Sequence, residues 1–284
     1  MMLGVRDLRS MAVEAVRDWS SDNASSMGAA IAYYTLFSLA PVLVIAIAIA
    51  GAVFGAEAAR GEIMAQLQGL MGADAARGVE RLLASAGDRS TGRVASIVGV
   101  VILLVGASTV FSELQSDLDR IWKARPPEHG GVRELIVPRL LSFGMVLALG
   151  FLLIVSLVVS AGLSALGKYW AERFGGGLEL LMHGGDVVVS FGVLTLLFAM
   201  IYKILPRTRI AWRDVRTGAA ITSALFVVGK LAIGVYLGRT GAASGYGAAG
   251  AVVLVLLWVY YSAQIFLLGA EFTKVYAHRH GSRR

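Results

Sequence analysis

The sequence contains no cysteine. Disulfide bridges and thiolate metal centres are therefore excluded, and redox compartment leaves no trace in the composition. Histidine is nearly as scarce, with only His129, His183, His278 and His280. His278 and His280 fall in a C-terminal tail expected to fray. No spacing of histidine with carboxylate resembles a zinc site, and no nucleophile elbow, phosphate loop or dinucleotide fingerprint stands in a suitable context. The sequence thus points away from an enzyme with a familiar active site, and nothing in it calls for a cofactor or metal. Charge is sparse as well. Only 16% of residues are charged, where a soluble domain sits nearer a quarter.

What is abundant is apolar surface. The chain is 57% hydrophobic, with a mean hydropathy of +0.71. Several runs reach about 20 apolar residues, the length that crosses roughly 30 Å of hydrocarbon. The expected fold is all-α. It is a polytopic membrane protein with six transmembrane helices in one bundle, at about 27–54, 94–111, 140–166, 187–205, 217–237 and 248–268. A single domain covers 1–284. Pro41 lies inside the first span and should bend it.

Orientation follows from lysine and arginine. Of the 26 basic residues, seventeen fall on the side that holds both termini, eight on the other, and Lys230 inside a span. Both termini are therefore expected in the cytoplasm of a multi-pass cell-membrane protein. The net charge of +7 is read the same way, as loop charge rather than a nucleic-acid footprint.

Two segments outside the spans carry pattern. Residues 1–26 place Val5, Leu8, Ala12, Val16 and Trp19 at helical spacing, with Arg6, Arg9 and Arg17 among the rest. This reads as a cytoplasmic amphipathic helix, either on the membrane surface or packed on a loop, and not as a cleaved signal. The outer loop 55–93 groups Ile63, Leu67, Leu70 and Met71 on one face, and Val79, Leu82 and Leu83 on another. Two short amphipathic helices are expected there, packed against span ends or lying across the outer mouth. Residues 277–284 form a basic cytoplasmic tail.

Polar residues inside apolar spans are costly and mark candidate sites. In the last span Tyr246, Tyr260, Gln264 and Glu271 share a face. Such a stripe is either an interhelical hydrogen-bond seam or the wall of a pathway. Glu113, Asp117 and Arg120 share a face at the end of the second span. Arg120 is placed to relieve the two carboxylates, as a solvated helix end or as a charged vestibule. Lys230 lies about 12 Å inside the fifth span at 1.5 Å per residue. Asp186 is its candidate ion-pair partner by depth, and an anionic ligand is the alternative.

Four stretches together resemble a known family: "AAIAYYTLFSLAPVLVIAIAIAGAVFG", "GASTVFSELQSDLDRIWKA", "LFAMIYKILPRTRIAWRDVRTGAAITSALFVVGKLAIGVYLG" and "SGYGAAGAVVLVLLWVYYSAQIFLLGAEFTKVYA". In this order they are similar to the YihY/BrkB family of bacterial inner-membrane proteins. The resemblance implies six spans with both ends cytoplasmic. It also implies loose ties to virulence, salt tolerance and envelope-lipid export. The family's historical label of ribonuclease BN is regarded as mistaken, and the missing metal ligands agree. The expectation is a transporter-like protein moving a lipid or small solute, with no ATP hydrolysis of its own. Its expected partners are membrane lipids and a substrate that is an anionic lipid or small solute, not nucleic acid. A scaffold for envelope-synthesis partners is the alternative. Oligomeric state is open, a homo-oligomer included.

Overall fold

The computed structural model describes residues 5–87, 109–124, 144, 179–240 and 250–283. Among these, every regular element is a helix. They are α1 (Val5–Ser21), α2 (Ala24–Phe54), α3 (Ala56–Met71), α4 (Ala73–Gly87), α5 (109–121), α6 (Glu179–Ile204), α7 (Trp212–Thr240) and α8 (Gly250–Arg279). The expected third span and most of the second lie outside the described residues, as does Tyr246.

Local sequence sets the breaks. Asn23 joins α1 to α2 at φ 57, a left-handed conformation that asparagine tolerates better than most residues. Gly55 and Gly72, at φ 87 and 85, fold α2, α3 and α4 back on one another with no Cβ to penalise the turn. Pro206 follows the end of α6, where a residue before proline resists helical geometry. The bend expected at Pro41 is present: Ala24–Ala40 and Val42–Ala52 meet at 43°.

Two described helices are long and apolar enough to cross a membrane, within Trp212–Ile233 and Val252–Arg279. The bent α2 makes a third if its halves count as one span. Inside α6 the apolar stretch Ser190–Ile204 is shorter. Val188, Leu196, Val228 and Leu231 stand exposed along α6 and α7, apolar surface of the kind that lipid covers.

The last helix organises the rest, packing against α7, α2, α1 and α4. Its middle joins the main core with Phe111, Leu118, Tyr202, Val215 and Phe266. Its N-terminal part meets α2 and the α3–α4 hairpin through Met64, Met71, Val79, Leu83 and Val255. The two loop helices thus exist as expected, and they pack along span ends. Its C-terminal part meets α1 through Met11, Ala15, Phe272, Val275 and Tyr276.

That last contact does not use the apolar positions picked out by spacing. The face that touches protein is Met11 and Ala15, while Leu8, Ala12 and Val16 remain exposed. A correction concerns the tail. His280 pairs with Asp7 at 2.9 Å. The backbone N–H and hydroxyl of Ser282 donate to Asp214 at 3.0 and 2.7 Å, and the Arg283 guanidinium stacks over Trp122. Asp214 is fully buried at the start of α7. Through residue 283 the tail is docked, not frayed.

Candidate functional site

Gln264 and Glu271 lie on one face of α8, as their spacing requires, and that face meets α2 and α1. A Cβ at Gly28 would collide with the Gln264 amide. The glycine is what admits the glutamine between the helices. Gln264 Nε2 reaches the Ala24 carbonyl at 3.5 Å, the long limit of a hydrogen bond. Its Oε1 is buried without a hydrogen-bond partner. Tyr260, one turn earlier, is half-buried against the cluster that includes α3 and α4.

Two turns beyond Gln264, Glu271 is fully buried. Lys274 lies 2.6 Å from it, and also 2.9 Å from Asp18 and 3.8 Å from Asp22 of α1 and its following turn. Three carboxylates therefore converge on one ammonium. Burying charge is costly unless it is paired, and Lys274 is the only cation paired with these acids among the described residues. Arg279 extends the seam to Asp7, Glu14 and Ser10. The whole arrangement ties residues near the start of the chain to residues near its end.

The opposite side of α8 is built differently. Tyr202 donates from its hydroxyl to the Phe266 carbonyl at 2.7 Å, with Thr222 Oγ1 at 3.2 Å. Thr222 donates to the Gly218 carbonyl and Thr273 to the Gly269 carbonyl, at 2.8 and 2.7 Å. A Cβ at Gly218 would strike Thr273, and one at Gly269 would strike Thr222 and Tyr202. Glycine on each helix receives threonine from the other, so the backbones approach closely. Here the hydroxyls are paired and no charge is present.

The cluster at the end of the second expected span is separate. Asp117 is 3% exposed, whereas Glu113 is half-buried and Arg120 exposed. No ion pair joins Arg120 to Asp117 among the described residues, and Asp117 Oδ2 is buried without a hydrogen-bond partner. Burial raises the Asp117 pKa to about 7, Glu113 adds to the rise, and Arg120 opposes it. The expected relief by Arg120 is therefore weak. Asp119, which the sequence did not single out, anchors this helix. It accepts from the Arg207 backbone N–H at 2.8 Å and lies 3.6 Å from the guanidinium. Burial raises its pKa, and the Arg207 contacts lower it. Gln115 adds a bond from its amide to the Leu205 carbonyl at 2.9 Å.

Lys230 is half-buried on α7 and joins none of these groups; no ion pair to it occurs among the described residues. The side chain of Asp186 lies outside the described residues. A cavity of about 460 Å³ lined by Val44, Ile47, Gly51, Glu57, Arg60 and Leu83 lies at the other end of α2 from Gly28. Among the described residues no group of three or more histidine, aspartate and glutamate side chains is arranged to hold a metal ion.

Apolar helices of spanning length, joined by a buried polar seam, define an α-helical membrane protein. The chain belongs to the BrkB family: the family model described as Virulence factor BrkB matches residues 15–284. A UPF0761 membrane protein of Alcanivorax borkumensis is 29% identical over 278 residues, which cover 94% of this chain and 60% of that protein. One from Ralstonia nicotianae is 28% identical over 271 residues, 94% of this chain and 58% of that protein. One from Alteromonas mediterranea is 32% identical over 180 residues, 63% of this chain and 58% of that protein. The chain thus spans about 60% of the length of these relatives. No solved structure matches it.

Proposed function

We propose that this protein is a transporter-like, non-enzymatic inner-membrane protein. It moves a lipid or small solute, and the charged seam between α1 and α8 is its gate. The observation that carries this reading is the imbalance at Lys274, where one ammonium holds Glu271, Asp18 and Asp22 together. A seam whose acids outnumber its cations is held less firmly than one closed by packing. It tightens when a proton or cation neutralises the surplus acid, and loosens when that proton or cation leaves. The polar face of Tyr260, Gln264 and Glu271 then becomes the wall that opening exposes. In this reading the bundle has six spans. Both ends lie in the cytoplasm in this reading, which the contact of Asp7 with His280 and the charge count support.

The test uses single cysteines at Tyr260, Gln264 and Glu271 in proteoliposomes, treated with a membrane-impermeant maleimide. Labelling at all three positions supports a pathway. Silence at all three supports the second reading, a scaffold for envelope-synthesis partners. The observation that favours this alternative is the tight fit of Gln264 against Gly28.

A further inference from the structure

The charges of α1 are sorted by side. Asp7, Glu14 and Asp18 all turn toward α8, where they meet His280, Arg279 and Lys274. Arg6, Arg9 and Arg17 fall on another side, within roughly 80° of arc at 100° per residue. All three arginines are exposed, and none forms an ion pair among the described residues. Val13, 60% exposed, lies in the same sector, and Val16, 52% exposed, lies about 20° beyond its edge. Leu8, 43% exposed, lies about 100° outside that sector, next to the protein-facing side.

A helix held to its own protein by acids, with arginines and valines turned outward, has a surface without a partner among the described residues. We infer that this outer face of α1 is a docking surface for anionic lipid headgroups of the bilayer in which the protein sits. Charge selects the occupant. Three guanidiniums complement phosphate, which they grip in a fork. Basic residues beside a membrane are drawn to anionic lipid over a distance of about one Debye length. The interleaved valines fit the acyl boundary, where helices of this kind lie. The geometry also gives such docking a consequence. The same helix carries Asp18, which with Asp22 holds Lys274, so lipid on one face and the α8 seam on the other act on one rigid element.

The native sequence has no cysteine, so Val13→Cys carries a single environment-sensitive fluorophore on the full chain. The labelled protein is reconstituted into phosphatidylcholine, or into phosphatidylcholine with phosphatidylglycerol, each with lipids bearing a quencher near the headgroup. Blue-shifted emission and quenching should appear with phosphatidylglycerol, fade in high salt, and be lost in the variant that also carries Arg6→Gln, Arg9→Gln and Arg17→Gln. These arginines are exposed and unpaired, so the variant should elute from size exclusion like its parent. Equal quenching in both bilayers, or quenching that survives loss of the arginines, overturns recognition of anionic lipid. No quenching in either bilayer overturns it also, and leaves the face to a soluble partner.

Discussion

The two sides of α8 are held by different physics. Toward α7, glycines at 218 and 269 admit threonines from the facing helix, and the hydroxyls are paired. Toward α1, one ammonium serves three carboxylates, one of them fully buried. The first seam depends on shape and has little to gain from pH or salt. The second depends on a count of charges, and any change in that count alters its strength.

The contrast is sharpest at Lys274. Lys274→Ala should strand Glu271 without its cation and cost about 3–5 kcal/mol, the usual penalty for breaking a buried pair. Glu271→Gln on its own should cost far less, because the remaining acids still hold Lys274. Combining it with Lys274→Ala should recover part of the loss. Thermal unfolding in detergent of both single variants and the double reads the cycle, and no recovery would mean that Lys274 serves mainly through packing.

On the other side, Gly218→Ala should cost about 1–3 kcal/mol by overpacking. Thr273→Ala in the same chain should return some of it. This effect should not change with salt, whereas the Lys274 effect should.

The sequence reads some of this and not the rest, for physical reasons. The bend at Pro41 follows from one residue's missing N–H and rigid ring. That Gln264 and Glu271 share a face follows from helical period alone. What they face does not, since Asp18 and Lys274 are more than 250 positions apart and nothing local links them. The protein-facing side of α1 is not legible for another reason. Met11 and Ala15 weigh little beside Leu8 and Val16 in an apolar pattern, yet small side chains are what allow close docking. The clue that was available is the sorting of acids and arginines to different sides of α1. The tail looked like free basic sequence because its anchor, Asp214, lies at the start of α7.

Asp117 supplies a pH-dependent effect away from α8. Its pKa is raised from 3.8 to about 7, so the native state favours the protonated acid. The stability this gives is complete below pH 3.8, declines as pH rises, and is gone above about 7. Asp117→Asn should flatten that decline, leaving the variant more stable than the parent at pH 8 and similar near pH 4. Melting curves across this range check it, and parallel pH profiles would show that Asp117 is not the titrating group. The smallest effect is expected at Arg279, which is exposed and whose acidic partners are partly exposed. Arg279→Ala should change stability by about 0–1 kcal/mol in the same melting assay.

The central claim is that the α1 seam opens while the α7 seam stays shut. Ala15 and Ala219 are both almost fully buried, Ala15 against Phe272 and Tyr276 and Ala219 in the main core one residue past Gly218, and alanine to cysteine is a small change. Maleimide labelling of Ala15→Cys and Ala219→Cys in proteoliposomes compares the two seams directly. Ala15→Cys should label in the folded protein, and faster in high salt or with Lys274→Ala, while Ala219→Cys stays silent until the protein is denatured. Equal rates at the two positions, or an Ala15→Cys that stays silent under all these conditions, would contradict the account.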